Sequence, residues 1–223
     1  MHDYAWLQAF AVNRFGSLPA LEAHLPQPRS GEALRALPDA RYLSTMSLRI
    51  FRAGLKHSLV DAKWPAFEAA FFGFDPHKVV LMGAEHLERL MQDARLIRHL
   101  AKLKSVPRNA QMVLDVAHEQ GSFGAFIANW PVNDITGLWR LLAKRGNQLG
   151  GLSAPRYLRM LGKDTFILTD DVVAALVAQG IVNKRPTSQR DLAEVQAAFN
   201  EWHAQSGRPL CQLSVMLAHT VNH

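Results

Sequence analysis

The chain has one cysteine among 223 residues, Cys211, which rules out an internal disulfide framework and the four thiolates of an iron–sulfur cluster. Its apolar context marks Cys211 as a buried, unreactive thiol. Histidine is plentiful, yet no HExxH or similarly spaced ligand set occurs, and His77, His86, His99 and His118 read as exposed helix residues. Missing too are a Gly-Lys-Ser/Thr phosphate loop, a GxGxxG and a GxSxG, so nucleotide hydrolysis, dinucleotide redox chemistry and α/β-hydrolase chemistry lack their usual groups. No apolar run reaches the roughly eighteen residues of a membrane span, and no signal-peptide pattern is seen. The expected setting is therefore cytoplasmic, without membrane association. Strand-like alternation, internal repeats and low-complexity tracts are absent from the sequence.

What is present is a hydrophobic fraction of 48%, ordinary for a globule with a sizeable core in one or two subdomains, and a formal charge of +6 with a pI near 9.8. That balance suits an acidic partner such as a nucleic acid. Helical periodicity dominates. The spacing predicts a helix over roughly His2 to Phe15 and a connection bearing Pro26, Pro28 and Pro38, so residues 1–40 form a helix and arm ahead of a main domain over 41–223. Leu103, Val106, Ala110, Val113, Leu114 and Ala117 make one apolar stripe, which Gly121-Ser122-Phe123 stops. Trp130 to Asp134 begins the next helix. Ser188 and Asp191 have capping-box spacing ahead of a last amphipathic helix carrying Leu192, Val195, Phe199 and Trp202, expected to pack back on the N-terminal half. Glu85, Glu88 and Asp93 read as a solvated helix face, and Trp64, Trp130, Trp139 and Trp202 as core.

The stretch from Lys144 to Leu176 carries the chemistry. Leu138, Leu142 and Leu149 precede Gly150-Gly151, and Tyr157, Leu158 and Leu161 follow, which predicts two helices joined by a tight turn. Such a helix-hairpin-helix leaves main-chain N–H groups unpaired at the second helix's N-terminus, where the helix dipole also favours a phosphate oxygen. Gly150, Gly151 and Ser153 would form the phosphate site, with Lys144, Arg145 and Arg156 adding charge. An ordinary helix–helix connection is the competing reading. About twenty residues on, Asp170 and Asp171 follow the apolar run Thr165 to Leu168 and precede Val172, Val173 and Leu176, placing both carboxylates at a helix N-terminus. One of them could be no more than the cap.

A glycine-turn hairpin followed by an aspartate that opens a helix resembles the helix-hairpin-helix DNA glycosylase superfamily. More closely, FEAAFFGFDP at Phe67 to Pro76, LMQDARLIRHLAKL at Leu90 to Leu103 and KRG at Lys144 to Gly146 resemble the 3-methyladenine DNA glycosylase I (Tag) family, a likeness running from about Leu48 to Val182. It implies an all-α, two-lobed HhH-GPD glycosylase fold acting on double-stranded damaged DNA as a monomer without a cofactor. Its chemistry would be hydrolysis of the N-glycosidic bond of a flipped-out alkylated purine such as 3-methyladenine.

The superfamily's TDDV-like pattern makes Asp171 the first candidate for the catalytic carboxylate and Asp170 the alternative. A buried anion near C1′ would stabilise the oxocarbenium-like sugar. Strand-nicking members use a lysine in the second hairpin helix, where this chain reads Ala154-Pro155-Arg156 with no lysine until Lys163, so the expectation is a monofunctional enzyme. Alignment on Ala53-Gly54-Leu55 puts Arg49 at the family's pocket glutamate and His57 at its pocket tryptophan. Phe51, His57 and Trp6 are the candidate pocket walls, and Arg52 stands where many members carry the wedge that fills the gap left by the flipped base. The family's Cys/His zinc site has no counterpart, since the matching positions read VNKRPTSQ, and no metal is expected. A cleft between two lobes would gather the hairpin, Asp171 and the Phe51 segment. The rival is a protein of the same fold that binds damaged DNA without cutting it, Arg49 filling the pocket.

Overall fold

The computed structural model describes residues 1–221, and among these every regular element is a helix. The chain folds into two compact units, one formed by residues 1–29, 131–138 and 162 onward, the other by residues 30–130 and 139–161. The arm expected over 1–40 is divided between them, and it contains two short helices, α2 (Leu18–His24) and α3 (Gly31–Arg35), besides the expected α1 (Tyr4–Phe15). Each has a local cause: Asp3, Ser17 and Ser30 accept hydrogen bonds from main-chain N–H groups three residues on, the usual N-cap geometry.

The unit holding residues 30–130 and 139–161 is built around α4 (Asp39–Arg52), most of whose residues are buried. It packs on α8 (Leu100–Gln120) and on α11 (Ser153–Leu161). The apolar stripe of α8 is buried through Leu103, Val106, Ala110 and Val113, whereas Leu114 and Ala117 lie at its half-exposed margin. Beyond α4, helix α5 (His57–Ala70) and the FFGF turn supply an aromatic cluster. Phe51 lies 4.6 Å from Phe67 between ring centroids, Trp64 stacks on Phe67 at 5.0 Å, and Phe71 stacks on Phe74 at 5.4 Å. Burying rings of this size contributes on the order of 2–3 kcal/mol each, the main local driving force. The remaining helices of this unit are α6 (Pro76–Val79), α7 (Ala84–Gln92) and α9 (Phe123–Asn129). Gly124 lets α9 touch α3, since a Cβ there would meet the Leu34 carbonyl oxygen at 2.9 Å.

The other unit holds α1, α2, α12 (Asp170–Ala178), α13 (Gln189–Ser206) and α14 (Leu210–Ala218), together with the first turn of α10 (Ile135–Arg145). Phe166 stacks on Phe199 at 4.1 Å, and Trp202 meets Phe199 edge-on at 5.4 Å. Ser188 caps α13 at the Asp191 N–H, 3.0 Å away, as its spacing implied. That helix is not the last, however. α14 follows it, its N-terminus held by Asp164, whose carboxylate accepts the N–H groups of Leu210 and Cys211 at 2.9 and 2.8 Å. Gln196 and Asn200 on α13 bind main-chain groups of Thr136 and Asn133 at 3.1 and 2.9 Å, anchoring the start of α10.

Candidate DNA-binding and base-excision site

The hairpin is formed by α10 and α11, joined by residues 146–152. The turn needs two left-handed residues, Gln148 at φ 65° and Gly151 at φ 57°. Asn109, fully buried on α8, grips the loop main chain from both sides. Its amide donates to the Asn147 carbonyl at 3.0 Å and accepts the Asn147 N–H at 2.7 Å. Gly146 completes the turn, because a Cβ there would press on the Leu142 carbonyl oxygen at 2.7 Å. Gly150 and Gly151 are exposed, and among the described residues the N–H groups of Gly151 and Leu152 meet no protein acceptor. Ser153 is nearly buried and spends its N–H on the Gly150 carbonyl at 3.1 Å.

Basic groups around the turn differ in their commitments. Lys144 is exposed. Arg145 is bound in a fork to Glu119, both contacts at 2.7 Å, which raises its pKa and neutralises much of its charge toward an outside anion. Arg156, in the first turn of α11, makes no side-chain hydrogen bond or ion pair among the described residues.

Asp170 and Asp171 open α12, and neither is its cap. Thr169 takes that place, its hydroxyl accepting the Val172 N–H at 3.3 Å. The Asp170 side chain is 97% exposed and is paired with Arg185, which also donates to the Leu168 carbonyl at 2.9 Å. Asp171 is half-buried on the same first turn, and its charge acts on His219 of the helix end behind it. Burial depresses the His219 pKa, Arg14 and His24 depress it further, and only Asp171 opposes them. Of the two carboxylates, Asp171 is thus the more shielded. Trp6 is half-buried in the same unit and stacks on His2 at 4.2 Å.

The segment matched to a base pocket lies in the unit that holds the hairpin turn and α11. Phe51 is fully buried and packs in the aromatic cluster, while His57 is exposed at the start of α5. Arg52 is paired with Asp61 at 2.7 Å. Arg49 is the unusual member. It is 6% exposed, its Nε has no hydrogen-bond partner, and no carboxylate pairs with it among the described residues. Its pKa is lowered first by burial and then by the charges of Arg156 and Arg52. Lys102 lies in the same electrostatic neighbourhood, its ammonium on the carbonyls of Phe51 and Ala53 at 3.2 and 2.5 Å. Sequence reasoning missed both Lys102 and Asn109, which look like ordinary helix-surface residues until α8 is set against α4 and the hairpin. Among the described residues, no group of three or more His, Cys, Asp or Glu side chains is placed to hold a metal ion. None of their helices is long and apolar enough to cross a membrane.

The helical fold carrying this hairpin is that of a DNA glycosylase. It resembles 3-methyladenine DNA glycosylase I (TAG) from Staphylococcus aureus, with a TM-score of 0.52 and 24% identity over 62% of this chain and 81% of that one. A variant of the S. aureus protein aligns with a TM-score of 0.53 and 22% identity over 79% of this chain and 98% of that one. A family model described as methyladenine glycosylase matches residues 35–146, half of the chain, and the chain belongs to that family. DNA-3-methyladenine glycosylase 1 of Escherichia coli is 38% identical over 76 residues, 34% of this chain and 41% of that protein. DNA-3-methyladenine glycosylase of Haemophilus influenzae is 35% identical over 92 residues, 39% of this chain and 50% of that protein. The chain spans no more than about half the length of the curated relatives it matches. The matched stretch includes α4 with Arg49 and ends before the Gly150-Gly151 turn and Asp171.

Proposed function

We propose that this protein is a monofunctional base-excision repair glycosylase that grips double-stranded DNA through the α10–α11 hairpin and hydrolyses the N-glycosidic bond of a flipped-out alkylated purine. The class of base comes from the relatives, which are named for 3-methyladenine. The observation that carries the reading is family membership together with a half-buried carboxylate, Asp171, on the first turn of a helix that Thr169 already caps. Phosphate oxygens would be held by the Gly151 and Leu152 N–H groups at the dipole end of α11, with Arg156 and Lys144 beside them.

In the reaction, the base leaves with the electron pair of its bond to C1′ while the Asp171 carboxylate stabilises the sugar cation and orients water toward it. Oxygen from that water bonds to C1′, its proton passes to the carboxylate and then to solvent, and an abasic site remains. No amine in the second hairpin helix is available to form a Schiff base, so the strand is left intact. One observation favours a second reading, a binder of damaged DNA without activity: a buried cation at Arg49 repels a base that carries positive charge. Incubation with duplex DNA bearing alkylated, deaminated and oxidised bases separates the two readings. Release of free base that Asp171→Asn greatly slows while preserving DNA binding supports the enzyme, and no release from any substrate leaves the binder.

A further inference from the structure

Arg49 presents an energetic problem that the protein alone does not solve. A guanidinium has five N–H donors and a charge that cannot be shed at ordinary pH, and burying it with a donor left without an acceptor carries a desolvation penalty. Here the side chain is 94% buried, as its 6% exposure means, and Nε is unpartnered. Its neighbours worsen the balance, for Arg156 and Lys102 carry charge of the same sign and neither is paired with a carboxylate. Partial relief comes from the C-terminal end of α4, whose dipole favours cations in its last turn. What is missing is an acceptor, and the one available to a base-excision protein is the edge of an extruded base.

We propose that Arg49 reads the base itself, through paired hydrogen bonds to a purine edge that offers two acceptors, O6 and N7, so that the favoured substrates are neutral 6-oxopurines such as hypoxanthine and 3-methyladenine is a poor one. This rests on the glycosylase reading above, keeping its grip on DNA and its hydrolysis, and puts a 6-oxopurine in place of the alkylated purine for which the relatives are named. The geometry of the fork decides the edge: arginine matches O6 and N7 of a 6-oxopurine, whereas the adenine edge turns an N6 amino donor toward it. Charge points the same way. 3-Methyladenine is cationic as a nucleotide and would enter a site crowded by Arg49, Arg156 and Lys102. A neutral base instead becomes negative as it leaves with the glycosidic electron pair, that charge resting on the ring and O6. A fixed cation at this edge stabilises the departing base more than the bound nucleotide, and so accelerates the step. The base then takes a proton from solvent, and the sum is base release for one water consumed.

The experiment compares three duplexes, carrying hypoxanthine, carrying 1,N6-ethenoadenine (neutral, without a 6-oxo group), or methylated to contain 3-methyladenine, under single-turnover conditions. Alongside, free hypoxanthine and free 3-methyladenine are titrated against the protein by tryptophan fluorescence. The expected order is hypoxanthine fastest. Arg49→Gln, and Arg49→Lys, which keeps the charge and loses the fork, should each slow hypoxanthine release by about 10- to 100-fold, the range of a good paired base contact. Both should leave affinity for undamaged duplex in place, and Arg49→Gln, which removes a buried unpaired charge, should hold or raise the thermal transition. Faster release of 3-methyladenine than of hypoxanthine, or a base preference that neither Arg49 variant changes, overturns the proposal. The glycosylase reading fails separately. If no base is released but free hypoxanthine binds more tightly than 3-methyladenine and Arg49→Gln removes the difference, the recognition stands and catalysis falls; if neither base is bound or released, both fall.

Discussion

At the scale of single residues, Gly151 and His219 give the sharpest expectations. Gly151 is left-handed with open space where a Cβ would project, so Gly151→Ala carries a conformational cost and no clash. The substitution should destabilise the fold by roughly 1 kcal/mol in urea denaturation and weaken binding to undamaged duplex, since the turn's N–H groups shift with it. His219 has its pKa held below the ordinary value of 6.5, chiefly by burial. The neutral ring is therefore the form the fold favours: its contribution is intact above pH 6.5 and is lost as pH falls below that value toward the folded pKa. Urea midpoints measured between pH 8 and pH 5 should drop on the acid side, and His219→Gln should flatten that drop. Residue types and spacing made Asp171 legible as a helix-opening carboxylate, but the choice of Thr169 as cap and of Arg185 as partner of Asp170 depends on a loop conformation that no periodicity encodes. Arg49 was legible as a departure from the family pattern, and its lack of a partner was not.

Elements show where pattern succeeds and fails. Helices α8 and α13 announce themselves because one face is apolar and the other wet, and because Gly121 and Ser188 punctuate them. α14 does not, since Leu210 to Ser214 are buried in succession, polar Gln212 and Ser214 included, leaving no stripe to find. Its N-terminus is tied to Asp164, 46 residues upstream of Leu210, beyond any local cap signal. The hairpin was legible from its glycines, whereas its clamp was not, because Asn109 reaches Asn147 from 38 residues away. Replacing that clamp is informative: Asn109→Ala leaves both a main-chain N–H and a carbonyl of Asn147 unsatisfied. Stability should fall by about 1–3 kcal/mol, and DNA affinity should fall with it, as read from a urea titration and from fluorescence anisotropy on one duplex. Unchanged affinity in a folded variant would detach the loop from DNA binding.

For the molecule as a whole, composition spoke to class and to little else. A net charge of +6 suits DNA as a partner, but two units assembled from non-contiguous stretches, with 131–138 clustering with both chain ends, follow from long-range packing that no linear pattern displays. The account of function depends on one group in one of those units, the Asp171 carboxylate. Its most direct test is the single-turnover rate of free-base release from damaged duplex by wild-type protein and by Asp171→Asn, measured beside DNA affinity for both. Release by wild type that falls by about 100-fold or more in the variant, the scale expected when a transition-state charge loses its counter-ion, with affinity unchanged, is the predicted result. Equal release by the two proteins would contradict it.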